Sequence, residues 1–291
     1  MTSPIPVSPT PGQRIVFVMG QGGVGKTTVA AALCRLEADR HGSAALVEFE
    51  GSPGGARALG SEGEGIRQVV VEYAESLVEL VATLTDSRLL GQLVVGHRAI
   101  RRVLRAVPAV RELGALERVR TISQREIRVV VDLPATGHGI DWLRVPAAAE
   151  RFLRVGPLAD LCRRLQGELI EPERSAVVVV SSVEPVVAAE TRELCRRLWE
   201  EVGRRPSLVV ANHVPRRPEA ESVDLLARLA RSDPGYEPLE HLVLDDLERA
   251  RAADDALAML GALAGSRLVT VPEFFADPAP SDLVSYLGKT P

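Results

Sequence analysis

A doubly wound α/β fold, with a mainly parallel sheet and an inserted helical subdomain, is expected from three features of this chain. Short valine-rich apolar runs recur along it without alternating, as strands buried on both faces of a parallel sheet do. Stretches of helical character fill the gaps between them. The first apolar run leads directly into a glycine-rich loop and then a helix.

Arg14-Ile15-Val16-Phe17-Val18-Met19 reads as the first buried strand, and Val29-Ala30-Ala31-Ala32-Leu33 as part of the helix after it. Ala44-Ala45-Leu46-Val47-Glu48-Phe49 is the second strand and Arg128-Val129-Val130-Val131-Asp132 the third. Residues 176–180, 207–211 and 267–271 supply three more, with helices expected at 189–201 and 223–231. Residues 64–125 break the alternation, and no strand is expected there. Ile66, Val69, Val70, Tyr73, Leu77 and Leu80 fall near helical spacing, so this stretch reads as a helical insert between the second and third strands. A core-facing stripe accounts for such spacing, whereas a client groove would need exposed apolar surface. A smaller helical excursion is expected at 218–264. Residues 1–12 are rich in proline and serine and lack the basic and apolar regions of a signal peptide. They read as a disordered leader to a domain spanning 13–291.

The 291 residues have length enough for a large core. Hydrophobic residues make up 46% and charged residues 25%, in the ordinary range for a globular chain. The net charge of −4 makes no electrostatic case for nucleic acid. Arg101, Arg102, Arg105 and Arg111 cluster, but Glu112 and Glu117 sit among them, and a solvated helix face is the expectation. Aromatics are only 3%, so the core must be built from Val, Leu, Ala and Ile. No apolar run approaches the length of a membrane span. Cys34, Cys162 and Cys195 are far apart and form no ligand pair, which suits buried free thiols in a reducing cytoplasm.

Gly20-Gln21-Gly22-Gly23-Val24-Gly25-Lys26-Thr27-Thr28 matches G-x-x-x-x-G-K-[ST], the P-loop of nucleoside-triphosphate-binding proteins, in the strand–loop–helix context that motif needs. Glycines let backbone N–H groups turn toward a polyphosphate, and the helix N-terminus adds its positive dipole end. Lys26 is expected to reach the β- and γ-phosphates, and the Thr27 hydroxyl to hold Mg²⁺. A second signature lies in Val129-Val130-Val131-Asp132-Leu133-Pro134-Ala135-Thr136-Gly137-His138-Gly139. Asp132, at the carboxyl end of a buried strand, is placed to order Mg²⁺. The loop after it can shift when a γ-phosphate appears. His138 reads as a hydrogen-bonding loop residue rather than a catalyst.

Taken together, the glycine loop, the Asp-x-Pro-Ala-Thr-Gly-His stretch and Val180-Ser181-Ser182-Val183-Glu184-Pro185 ahead of a helix resemble the arsenical-pump-driving, anion-transporting ATPase family. That family belongs to the deviant P-loop class and includes the ATPases that target tail-anchored membrane proteins. The likeness runs from about Arg14 to Pro272 and takes in Ala106-Val107-Pro108-Ala109-Val110-Arg111-Glu112-Leu113. It implies a Mg²⁺-dependent ATPase that binds ATP or ADP and closes as a dimer. It also implies phosphate contacts from Gly22 to Thr28, with the flanking Gly20 and Gln21. Thr27 would hold the metal, with Asp132 as the carboxylate of the second switch. Asn212 would lie against the adenine, and Pro272 near a late adenine-side loop. Without the resemblance, Asn212 reads equally as a turn residue after a strand.

Two departures qualify these implications. Where the family carries a lysine directly after the first glycine, this chain has Gln21. In the family's nucleotide-sandwich dimer that lysine crosses to the partner's ATP, like an arginine finger. Losing such a cation costs on the order of 10³–10⁵ in rate. Where the family shows Thr-Asp-Pro-Ala after the second strand, this chain has Phe49-Glu50-Gly51-Ser52. Glu50 then reads as a water-positioning carboxylate, a binding residue or a solvated loop residue. The paired-cysteine zinc site and the metalloid-binding cysteines of family members have no counterpart here. Two functions follow from the resemblance. One is an ATPase switch acting on a client or partner protein. The other is a hydrolysis-poor regulatory subunit paired, as a heterodimer, with a competent paralogue.

Overall fold

The computed structural model describes residues 13–288 apart from 52–53, 86, 88, 90–91, 94–95, 97–107, 135–138, 154 and 264–266. Among the described residues a seven-stranded sheet runs β3-β2-β4-β1-β5-β6-β7, and every strand pair is parallel. The strands are β1 (Ile15–Gly20), β2 (Ala44–Phe49), β3 (Ile66–Val71), β4 (Val129–Asp132), β5 (Ser175–Ser182), β6 (Leu208–Val214) and β7 (Arg267–Pro272). The expected doubly wound α/β architecture is therefore present, with the sheet wholly rather than mainly parallel.

The non-alternating apolar pattern has a direct cause. Ile15, Phe17 and Met19 of β1 enter one core cluster, while Val16 and Val18 enter another on the opposite face of the sheet. Both faces of a central strand are covered, so neither set of side chains can be polar. On one face lie α1 (Lys26–His41), α2 (Gly55–Leu59) and α10 (Pro280–Leu287). On the other, α3 (Tyr73–Thr85), α4 (Pro108–Ser123), α5 (Gly139–Phe152) and α6 (Pro157–Leu165) contribute to the cluster around Phe17. Its few aromatic contacts include Phe49 against Trp142, ring centroids 4.3 Å apart. α7 (Pro185–Arg197) and the long α9 (Glu237–Gly261) pack together beside β6, and α8 (Ala220–Ser232) lies against α9.

The strand at Ile66–Val71 corrects the expectation of a strandless stretch. It pairs with β2 from Ala44↔Ile66 to Phe49↔Val71. As an edge strand it is covered on fewer sides, and Arg67, Gln68 and Val70 are exposed. Ile66, Val69, Val70 and Tyr73 meanwhile imitate helical spacing across the strand and into the helix after it. The β-branching of Ile66, Val69 and Val70, which favours an extended backbone, decides the matter. Helix begins only at Tyr73. Beyond it the stripe faces inward, since Leu77, Leu80, Leu113, Leu116 and Val119 belong to the same cluster as Phe17.

The expected charged face is corrected at Glu117. Glu117 is 2% exposed and accepts from Arg120 and from the Thr83 hydroxyl. The Arg111 guanidinium lies over the Tyr73 ring, 4.1 Å from its centroid. Arg101, Arg102 and Arg105, like the 1–12 leader, lie outside the described residues. Cys34, Cys162 and Cys195 are free and buried. No helix among the described residues is long and apolar enough to cross a membrane.

Candidate functional site

The central position of β1 builds the site. Its C-terminal end, flanked by β4 and β5, opens into the glycine loop, and α1 starts at Lys26. Gly20 has φ 152°, and a Cβ there would sit 2.1 Å from the Val180 carbonyl oxygen. Only glycine lets β1 leave the sheet so close to β5. Gly25 has φ 84°, and a Cβ there would meet the Asn212 amide nitrogen at 2.3 Å. At Gly22 and Gly23 a Cβ would have no atom of the described residues within 4 Å, so they leave this part of the loop open. Gly25 offers no side-chain cap to α1, which leaves the first-turn amides without that partner.

Lys26 is only 7% exposed, and its Nζ donates to the Gln21 carbonyl oxygen at 2.8 Å. Burial lowers its pKa, against the opposing pull of the Asp132 charge. The Thr27 hydroxyl donates to Asp132 Oδ2 at 2.6 Å. Burial pushes the Asp132 carboxyl up to about 6, opposed by the Thr27 bond and Lys26, and helped by the charge of Glu48. Asp132 Oδ1 is buried, with no hydrogen-bond partner among the described residues. A buried carboxylate oxygen left bare costs free energy unless something else occupies it. A hard cation ringed by oxygen donors suits the Thr27–Asp132 pair.

The other expected residues are distributed around this centre. Asn212 is 5% exposed on β6, and its Nδ2 donates to the Val24 carbonyl oxygen at 3.0 Å. The amide thus buttresses the glycine loop from beneath. Thr28 and Thr27 border a cavity of about 450 Å³ with Gly54, Arg57, Asp277 and Pro280. Pro272 ends β7 opposite Val214, and the next amide, Glu273 N, donates to the Val214 carbonyl at 2.9 Å. Gln21 borders a separate groove of about 620 Å³ formed with Pro185, Val186, Ala189 and Leu194 of α7. Glu50 is exposed just past β2, and its Oε2 accepts from the Tyr73 amide at 3.2 Å, at the start of α3. His138 and Ala135 to Gly137 lie outside the described residues.

Two residues of this region escaped sequence reasoning. Glu48 is 2% exposed in β2, and its Oε1 accepts from the amides of Gly54 and Gly55, each at 2.7 Å. The signal was available: a carboxylate inside an otherwise apolar strand needs a partner. His213 has φ 57°, beside a register shift in β6 between Ala211 and Val214. A non-glycine residue in that region is uncommon, and no sequence pattern announces it.

No family model matches the chain. ATPase BagA of Mycobacterium tuberculosis is 24% identical to it over 234 residues, covering 73% of this chain and 68% of the relative. The Mb3704 protein of Mycobacterium bovis matches with the same figures. The parallel sheet with its P-loop belongs to a chain distantly related to proteins named as ATPases.

Proposed function

We propose that this chain binds ATP together with Mg²⁺ and works as a nucleotide-dependent dimeric switch acting on a client or partner protein. The observation that carries this reading is the Thr27–Asp132 pair. A buried carboxylate oxygen stands beside a hydroxyl without a partner among the described residues, next to a glycine loop that they leave open at Gly22 and Gly23. Bound Mg²⁺ would neutralise phosphate charge. The chain's own residues do the rest. Gly22 to Thr28 offer their amides to the β- and γ-phosphates. Lys26 exchanges the Gln21 carbonyl for a phosphate oxygen. Thr27 and Asp132 hold the metal. The cavity of about 450 Å³ beside Thr28 is of a size that takes small ligands. Adenine recognition by Asn212 and the segment after Pro272 rests on the family resemblance. The test is calorimetric titration with ATP in excess MgCl₂, with ATP in EDTA and with GTP. Tight Mg²⁺-enhanced binding that prefers ATP is expected, and no binding in either condition overturns the reading.

A second reading is favoured by Gln21, a neutral side chain where the family carries its crossing lysine. The carboxylate of Glu50 is also turned to the Tyr73 amide. On this reading the chain binds nucleotide, hydrolyses little by itself, and serves as the regulatory half of a heterodimer with a competent paralogue. Steady-state hydrolysis by the purified chain separates the two. Brisk turnover favours the first, and binding without turnover favours the second.

A further inference from the structure

β2 is buried along its whole length, yet it carries Glu48 in the middle of that buried run. An unpaired carboxylate there would be costly. Glu48 Oε1 instead takes two consecutive amides, Gly54 N and Gly55 N, both at 2.7 Å. The fit is close. A Cβ on Gly55 would lie 2.4 Å from Glu48 Oε2 and 2.7 Å from Leu46 Cδ2. The same anchoring holds Gly54 against the candidate metal site. A Cβ on Gly54 would lie 3.1 Å from Thr27 Cγ2, and the Thr27 hydroxyl is the one that meets Asp132. Contacts therefore run from Glu48 through Gly54 to Thr27 and Asp132. The charge of Glu48 is itself felt by the Asp132 carboxyl. The start of the loop is tied separately, by Glu50 to the Tyr73 amide.

We propose that Glu48 is a positioning residue that sets how closely Gly54 approaches the cation held by Thr27 and Asp132, so that the metal and the Gly54–Gly55 backbone order one another. The proposal rests on the reading of Thr27 and Asp132 as the Mg²⁺ holders. Positioning and charge make opposite demands on two conservative variants. In E48Q an amide oxygen can accept the same two bonds, but the charge is gone. In E48D the charge stays, but the shorter arm cannot reach both amides.

The readout is the ratio of ATP affinity in excess MgCl₂ to ATP affinity in EDTA, measured by calorimetry. Amide hydrogen exchange at Gly54 and Gly55 is followed in parallel. E48Q is expected to hold the ratio within about threefold of wild type, since only the charge-assisted part of each bond is lost. E48D should lose about tenfold of the ratio, as small displacements at such sites do. Its affinity in EDTA should be unchanged, and its Gly54 and Gly55 amides should exchange faster. G54A is an independent probe that leaves Glu48 in place. Its new methyl crowds Thr27, and the ratio should fall similarly, so the test stands even if E48D fails to fold. A reversed order, with E48Q losing and E48D keeping the ratio, would overturn positioning in favour of charge. Equal ratios in wild type, E48D and G54A would also overturn it. So would equal losses in Mg²⁺ and in EDTA, which mark a role in the fold alone. A wild-type chain without any Mg²⁺ enhancement sinks the Thr27–Asp132 reading and this one with it. Enhancement in wild type that survives in E48D and G54A sinks only the role of Glu48.

Discussion

Thr27 Oγ1 donates to Asp132 Oδ2 at 2.6 Å although 105 positions separate them in sequence. The bond joins the first turn of α1 to the end of β4, and among the described residues Asp132 Oδ1 is left buried without a partner. Replacing either partner should therefore act on the metal first. Thr27→Ala and Asp132→Asn should each reduce the Mg²⁺ enhancement of ATP binding about tenfold or more while sparing binding in EDTA. Calorimetry with and without EDTA checks this. Wild-type behaviour in both variants would remove the metal assignment.

Asp132→Asn should also stabilise the metal-free protein. Burial disfavours the ionised Asp132 carboxyl, and an uncharged amide escapes that penalty while its oxygen can still accept from Thr27. A gain of about 1 kcal/mol is expected, a shift of a few degrees in Tm for a domain of this size. Thermal melting in EDTA at pH 7 measures it. A lower Tm for the variant would mean that the charge is already compensated in the folded protein.

Lys26→Ala should weaken ATP binding roughly thirtyfold or more, equivalent to ~2 kcal/mol, because the β- and γ-phosphates lose a fixed cation. The fold should survive, since among the described residues Lys26 Nζ bonds to the Gln21 carbonyl on the same loop. Unchanged affinity in a titration would take the P-loop out of the functional reading.

Asn212→Ala should destabilise the chain even without nucleotide. The Val24 carbonyl loses its donor in a buried place, at a cost of about 1–3 kcal/mol. Melting of the nucleotide-free protein measures that part. Competition between ATP and GTP measures the adenine part separately, with ATP expected to win in wild type.

Gln21→Lys should raise hydrolysis in a homodimer at least about tenfold, which needs only ~1.4 kcal/mol off the barrier. If the chain pairs as the family resemblance implies, Gln21 leaves neither copy with the crossing lysine, and the unsubstituted chain should turn over slowly. Brisk turnover by wild type with no gain from the substitution would defeat the idea.

Much of the sheet could be read because its strands are central. β1, β4, β5 and β6 are covered on both faces, so they stand out as short valine-rich runs whatever the details of packing. β3 could not, because an edge strand with exposed Arg67, Gln68 and Val70 loses that signature. The site divides the same way. Gly20, Gly25, Lys26 and Thr27 lie in one local motif, and their spacing alone reveals them. Glu48 became a candidate only when Gly54 and Gly55 were seen to turn back onto it. Glu50, two residues on, proved to be tied to the Tyr73 amide of α3.

The sequence by itself determined the α/β plan, the glycine-rich loop between the first strand and its helix, and the identity of the aspartate that ends the strand before residue 133. Each is set by interactions among near neighbours: φ freedom at glycine, burial on two faces of a strand, the turn from strand to helix. Tertiary structure alone decided which carboxylates face the loop. It set Asn212 against Val24, buried one oxygen of Asp132 without a partner among the described residues, and left Gln21 on a groove against α7. Those relationships join residues far apart in the chain. They depend on the parallel order β2-β4-β1-β5-β6, which brings the carboxyl ends of separate strands to one edge of the sheet.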